Sequence, residues 1–254
     1  MKFHQFIEKA LYYISVPKCV YCAKRLDIDD KALCKECLYE YEKHKELNCS
    51  ICSETYDKCA CSNKYLSSHG VKTLFKVFRY KPDERTPSNA LIYSLKEQNR
   101  RDIFRFCASE LARSIKSSGL DLSNALITNI PRRKVSINKF GYDHAEKLAK
   151  EVSKILNIEY LSLLNSKSQK SQKETVGEER RLNVRFELKD DNLNLSGRRV
   201  LLIDDVVTTG ASISYAAMLL RSLGARKVIG ASLSIAFKDY NPPPNTDDRF
   251  FKKR

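Results

Sequence analysis

The sequence predicts an α/β chain: a domain built on a parallel sheet, preceded by a small cysteine-rich module. Three observations carry this. From residue 66 onward, short apolar runs of strand length alternate with helical patterns, as when strands cross over through helices. Eight of the nine cysteines fall between Cys19 and Cys61. One fully apolar strand, Val200 to Ile203, ends in two acids and a small, hydroxyl-bearing turn that runs directly into a helix.

Taken in order, Phe3, Phe6, Ile7, Ala10, Leu11 and Ile14 recur at helical spacing and predict a short amphipathic helix. His4, Glu8 and Lys9 interrupt it, so it lacks the unbroken apolar stretch of a secretory signal. No apolar run approaches the roughly 20 residues needed to cross a bilayer. The expected location is cytoplasmic, at most peripheral to the inner face of the membrane.

The cysteines come as Cys19-x2-Cys22, Cys34-x2-Cys37, Cys49-x2-Cys52 and Cys59-x-Cys61. A two-residue gap lets two thiolates of one turn face one tetrahedral ion, so two such pairs make a four-thiolate cage. The simplest assignment gives Cys19, Cys22, Cys34 and Cys37 one zinc, and Cys49, Cys52, Cys59 and Cys61 a second. One ion or two, and an interleaved pairing, stay open at this point. A disulfide scaffold needs an oxidising compartment, and nothing here exports the chain. Four thiolates leave no open coordination position, so the metal is structural. This stretch has too few large apolar residues to fold by burial, and a structural zinc supplies roughly 10–16 kcal/mol. The expected units are therefore 1–65, an N-terminal helix with a module like a double zinc ribbon; 66–245, the α/β domain; and 246–254, a flexible tail.

In the domain, Val71 to Lys81 alternates like a strand, while Ala90 to Lys96 and Ile103 to Ile115 read as helix. Ala125 to Ile130 is a strand and Asp143 to Leu156 a helix. Ser166 to Phe186 is polar and without periodicity, a mobile loop of the kind that closes over a site. Val200 to Ile203, Ile213 to Leu223 and Val228 to Ile235 then give strand, helix and strand.

Ligands of such sheets bind at the carboxyl ends of the strands. Asp204 and Asp205 follow there, adjacent carboxylates whose natural partners are hydroxyls or a cation. Thr208, Thr209, Gly210, Ala211 and Ser212 then offer hydroxyls, a side-chain-free backbone and a helix N-terminus, which suits a phosphate. With a single glycine and no Gly-Lys-Ser/Thr, this is neither a P-loop nor a dinucleotide fingerprint. Pro131, Arg132, Arg133 and Lys134 place three cations at the end of another strand, where they suit a polyanion.

The run LLIDDVVTTGAS closely resembles the 5-phosphoribosyl-1-pyrophosphate (PRPP) motif of type I phosphoribosyltransferases. The resemblance implies that fold. It also implies Asp204 and Asp205 on the ribose hydroxyls, and Val207, Thr208, Thr209, Gly210, Ala211 and Ser212 around the 5′-phosphate. Pro131, Arg132, Arg133 and Lys134 would form the pyrophosphate loop, with Mg2+ arriving alongside PRPP. The order of parts resembles the ComF competence-protein family, ComFC type. That order is cysteine pairs, Lys96 in a helix, Pro131 with basic residues and Gly141, then Gln172 with Arg180 and Asn183, then the motif. Where that family often has Arg-Gly-Phe-Asn-Gln, this chain has Phe140-Gly141-Tyr142-Asp143-His144, so the arginine is lost.

Two functions follow as expectations. The resemblance implies a protein of natural transformation that handles incoming single-stranded DNA and works with a helicase or translocase. The formal charge of +15 is compatible with phosphate contacts. Arg100, Arg101, Arg132, Arg133, Lys134 and Lys139 are the expected cations, and Tyr12, Tyr13, Tyr21, Tyr39 and Tyr41 the expected stacking rings. The alternative is an active phosphoribosyltransferase with a nitrogen acceptor. No general base for that acceptor stands out, which favours binding over turnover.

Overall fold

The computed structural model describes residues 17–80, 84–167 and 186–236. The amphipathic N-terminal segment, Gln172, Arg180 and Asn183, and the tail at 246–254 lie outside the described residues.

Strands β1 (Leu74–Phe75), β2 (Phe78–Arg79), β3 (Ala125–Asn129), β6 (Arg199–Val207) and β7 (Lys227–Ile235) form one parallel sheet. Its order is β1, β7, β6, β3, with β2 continuing β1 along β7. Successive residues of a strand point to opposite faces, and both faces here are apolar. Ile127, Leu201, Ile203 and Ile229 pack with α4 (Arg101–Ser117) and α6 (His144–Leu156) through Ile103, Leu111, Leu148 and Val152. Leu126, Val200, Leu202 and Val228 meet α7 (Ala211–Ser222) through Ile213, Ala216, Ala217 and Leu220. The expected parallel sheet with helices on two faces is present.

Local chemistry sets the helix ends. Thr86 caps α3 (Pro87–Glu97), accepting from Asn89 N at 3.2 Å, and proline occupies the first turn, where its missing N–H costs nothing. Asp143 caps α6, its Oδ1 accepting from Ala145 N at 2.9 Å and Glu146 N at 3.0 Å.

The cysteine-rich segment packs onto both faces of the sheet. Cys19, Cys34, Cys37 and Tyr41 join the α4–α6 core, and Cys49, Tyr56, Cys59 and Leu66 join the α7 core. Helix α1 (Lys35–Lys45) is tied to α4 by a buried cluster in which Tyr41 Oη and Lys45 Nζ both donate to Glu110, at 3.1 and 2.7 Å. Helix α2 (Lys64–Ser68) runs through the junction expected at 65 and 66.

Four local features differ from the sequence reading. The strand expected over 71–81 is broken at Lys76, whose buried ammonium donates to the carbonyls of Cys61, Leu74 and Cys59. The strand expected to end at Ile203 continues to Val207, because β7 keeps pairing with it as far as Ile235. The two acids therefore lie within the strand rather than after it. The basic run after Pro131 leads through Arg132 and Arg133 into helix α5 (Lys134–Phe140), closed by Gly141 at φ 77°. Strands β4 (Leu164–Ser166) and β5 (Phe186–Leu188) form an antiparallel ribbon at the ends of the expected mobile loop. Residues 168–185 between them lie outside the described residues.

Candidate functional site

The site forms where β3 stops short. Asn129 pairs with Ile203, and among the described residues no strand of the sheet pairs with β6 on that side beyond it. Asp204 and Asp205 occupy this step at the carboxyl edge, only 7% and 1% exposed. The chain leaving β3 turns back across it. Arg132 Nη2 donates to Oδ1 of both acids, at 3.1 Å for Asp204. Lys96, on α3, brings Nζ to 3.4 Å from Asp205 Oδ2. His144 Nε2 lies 3.2 Å from the same oxygen.

These contacts are not equivalent. Asp205 Oδ2 and His144 Nε2 are buried and neither completes a hydrogen bond, so the neighbours are close but misaligned. Burial, with Arg132 and Lys96 adding repulsion, drives the imidazole of His144 down to about 3. It is therefore neutral at pH 7, and its approach to Asp205 is not an ion pair. Burial lifts the Asp204 carboxyl to about 6, against the opposing pull of Arg132 and Lys96. Burial and then Arg132 lower Lys96 from its ordinary value. The result is a desolvated acid pair held by cations, with an acceptor oxygen left unsatisfied.

The loop after β6 sits beside this pair. Thr208, Thr209 and Ala211 are exposed, Ser212 is half-buried, and Val207 and Gly210 are buried. Gly210 has φ 88°, and a Cβ there would come within 2.6 Å of Leu66 Cγ. The glycine thus serves both a left-handed turn and a close approach from helix α2 behind the loop. Asn63, which caps α2, donates from Nδ2 to Thr209 O at 3.2 Å, so the cysteine-rich module holds the loop from below. Ahead of it the first turn of α7 leaves backbone N–H groups without helical partners, where an anion is favoured.

Of the expected basic loop, Arg132 reaches the acids, while Arg133 and Lys134 are exposed. Pro131 leads into this turn, which Asp143 pins by accepting from Arg132 N at 2.8 Å. Sequence reading missed Asp143 and His144. The signal available in the run 140–144 is an acid, Asp143, directly before an amphipathic helix, a capping pattern. Two expected DNA-contact residues are otherwise employed: Tyr41 is core, and the guanidinium of Arg100 is held by Asp102 and Lys18 O.

The eight cysteines assemble as two sequential groups. Within Cys19, Cys22, Cys34 and Cys37, and within Cys49, Cys52, Cys59 and Cys61, the sulfurs lie within 4.8 Å of one another. All are free thiols. The same turn opens each group: Ala23 N donates to Cys19 O at 3.0 Å and Ser53 N to Cys49 O at 2.9 Å, with Ala23 and Ser53 at φ 59° and 63°. Burial holds the Cys34 thiol up at about 11 and the Cys61 thiol at about 12. A divalent cation centred among four such sulfurs offsets that cost, so both donor sets fit a tetrahedral metal.

Residues 135–253 match the Phosphoribosyl transferase domain family. Competence protein F of Haemophilus influenzae is 26% identical over 221 residues, spanning 83% of this chain and 93% of that protein. The DNA utilization protein YhgH of Escherichia coli O157:H7 is 25% identical over 218 residues, with the same coverage of each. Over most of its length the chain is similar to these two proteins of competence and DNA utilization. Its sheet is that of a type I phosphoribosyltransferase-like domain, and the two cysteine groups lie ahead of it. A purine phosphoribosyltransferase from Pyrococcus horikoshii superposes with a TM-score of 0.34 at 15% identity, over 54% of this chain and 74% of that one.

Proposed function

We propose that this ComF-family protein acts in DNA uptake during natural transformation, handling incoming single-stranded DNA, and that it carries a PRPP-type pocket and structural zinc. One observation carries the pocket: a buried acid pair with an unsatisfied acceptor oxygen, next to an exposed hydroxyl-lined turn at the start of α7. In this reading the ribose hydroxyls donate to Asp204 and Asp205, displacing Arg132. The freed guanidinium then meets the pyrophosphate with Arg133 and Lys134, and Mg2+ enters with that ligand. Lys96 stays beside Asp205 and keeps the site electropositive. Val207, Thr208, Thr209, Gly210, Ala211 and Ser212 surround the 5′-phosphate. The eight cysteines hold zinc as two four-thiolate centres, which supply folding energy and no chemistry.

The DNA reading is supported by the relatives named for competence and DNA utilization, and by the +15 charge. Arg101, Arg133, Lys134 and Lys139 are exposed and available to phosphates. A helicase or translocase is the expected partner. Among the described residues no helix is long and apolar enough to cross a membrane. The test combines two titrations of the purified chain. Single-strand affinity should fall with salt at a slope of about −0.7 per phosphate contact. PRPP with Mg2+ should bind, and Asp204→Asn with Asp205→Asn should abolish that binding while fold and metal content stay intact. Pyrophosphate released with one base, together with negligible DNA affinity, would replace this reading by an active transferase.

A further inference from the structure

The outer face of α4 touches neither the acid pair nor the turn after β6, and its composition is one-sided. The helix sends Ile103, Phe104, Cys107, Leu111 and Ile115 into the core. The side chains it leaves exposed are Arg101, Arg105, Ser109, Arg113, Lys116 and Ser117. At about 100° per residue, all of these fall on one side of the helix. Each is a cation or a hydroxyl, and no acid stands among them.

The acids of α4 are engaged elsewhere. Asp102 is half-buried and held by Arg100, from Nε at 3.2 Å and Nη2 at 2.6 Å. Glu110 is buried under Tyr41 and Lys45, with Arg113 at its edge. A merely solvated helix face mixes both signs, as α6 does in its pairs Glu146–Lys150 and Glu151–Lys154. On α4 every exposed charge has one sign.

A groove runs beside this stripe. Ser109, Ala112, Arg113, Lys116 and Ser117 of α4, with Ile155 of α6, enclose about 500 Å3. Buried Ala112 and half-buried Ile155 give it an apolar wall, and the cations and hydroxyls rim it. Lys116 reaches across, its Nζ donating to Ile155 O at 3.3 Å. From Arg101 to Lys116 the stripe covers about 22 Å of helix. A stacked strand carries one phosphate about every 3.4 Å, so that length matches roughly six nucleotides. At the Arg101 end, Arg100 Nη1 donates to Lys18 O at 2.7 Å, and exposed Lys18 carries the charge onto the first cysteine group.

The chemistry selects the ligand. An arginine fork takes two phosphate oxygens at once, and its plane stacks on a base. One row of cations beside an apolar groove fits a single flexible strand, whose bases are free to enter the groove. A duplex presents its phosphates on two rails and keeps its bases inside. We propose that the outer face of α4, with Arg101, Arg105, Arg113, Lys116 and the groove at Ile155, is the track on which a single strand lies. This rests on the single-strand reading above and gives it a surface, on α4 and not at the acid pair.

The experiment is anisotropy titration of the full-length chain with a labelled oligothymidylate across a salt series. Two variants that remove equal charge are compared. One carries Arg101→Gln, Arg105→Gln and Lys116→Gln on the stripe; the other carries Arg133→Gln, Lys134→Gln and Lys139→Gln at α5. Arg113 is left in place because it pairs with Glu110. The stripe variant should lose about 2 from the salt slope, about 0.7 for each contact, and at least about tenfold in affinity at low salt. Its melting temperature, metal content and PRPP binding should not change. The α5 variant should lose less than half as much of the slope. Equal losses in the two variants would reduce the effect to net charge and overturn the proposal, as would an unchanged stripe variant. A duplex that binds as tightly as the single strand would also overturn it. So would a stripe needed for binding vesicles of equimolar phosphatidylserine and phosphatidylcholine but not for binding the strand. If the folded wild-type chain binds no single strand at all, the DNA reading itself falls, an outcome distinct from a strand bound elsewhere on the chain.

Discussion

Cys19 and Cys22 open a turn that Cys49 and Cys52 repeat thirty residues later (49 − 19), with the same carbonyl-to-amide closure and the same left-handed residue after the second cysteine. After that turn the groups diverge, in the second half-site (Cys34-x2-Cys37 against Cys59-x-Cys61) and in where they hand the chain on. The first exits through Cys37 into α1, whose Tyr41 and Lys45 close on Glu110 of α4, with Arg113 Nη1 2.7 Å from that carboxylate. The second exits through Cys61 into Asn63 and α2, which meet Thr209 and Gly210. Lys76 adds a buried ammonium on the carbonyls of Cys59 and Cys61. One turn thus anchors the module to the body, and its copy reaches the turn after β6. A shared arrangement of four sulfurs says little about what the residues around it do.

The largest effect should separate the two groups outright. Cys37→Ser removes a buried candidate ligand within α1, so a share of metal-linked folding energy on the order of 10 kcal/mol is at risk. Soluble yield and melting temperature should collapse. Cys61→Ser should keep the sheet folded, lose about half the bound metal and weaken PRPP binding. Metal analysis, thermal melts and PRPP titration on both variants measure this; indistinguishable variants would erase the contrast.

Next comes the anchor itself. Glu110→Gln leaves Lys45 and Arg113 facing a neutral group in a buried cluster and should cost about 3–5 kcal/mol by chemical denaturation. PRPP affinity should not change, since nothing in that cluster touches the turn after β6.

The phosphate side is sharpened by Gly210→Ala. A methyl there meets Leu66 and sits at φ 88°, a combination worth about 1–3 kcal/mol. PRPP affinity should fall with stability. Adding Leu66→Ala should recover the steric part only, so a double-mutant cycle should show coupling between the module and the turn. Additive losses would mean that α2 does not support the turn.

These contrasts mark what was legible in the residues alone. The parallel sheet was, because apolar strands and amphipathic helices alternate with clear periods. The four-and-four grouping of the cysteines was only the simplest assignment, because Cys34 and Cys37 stand eleven residues from the pair on either side and spacing alone leaves an interleaved pairing open. Asp204 and Asp205 were placed at the right edge, but one strand-end too late, because the partner that prolongs β6 is β7, distant in sequence. Arg132 could be named as a cation, yet its seat on the acids depends on where β3 stops. His144 lay inside a run read for what it lacked. The buried Lys76 broke an expected strand, since a lysine in an alternating pattern gives no sign that backbone carbonyls await it.

A last contrast is in pH dependence. Asp204 rises from 3.8 to about 6, so between those values the folded chain keeps a proton the unfolded chain releases. That contribution to stability is present at low pH and lost as pH rises through the window. His144 falls from 6.5 to about 3, so the unfolded chain takes up the extra proton and stability is lost as pH drops below 6.5. The two oppose each other. His144→Gln removes only the second, so the variant should gain stability relative to wild type as pH falls toward 4. Parallel denaturation curves at all pH values would contradict a buried neutral ring.

The most direct measurement is a crystal structure of the chain soaked with PRPP and Mg2+. Arg132 should leave the acid pair, the ribose hydroxyls should take its place on Asp204 and Asp205, and the 5′-phosphate should sit on the amides between Thr208 and Ser212. A saturating soak that leaves Arg132 on both carboxylates, with no phosphate at that turn, would contradict the ribose-phosphate reading.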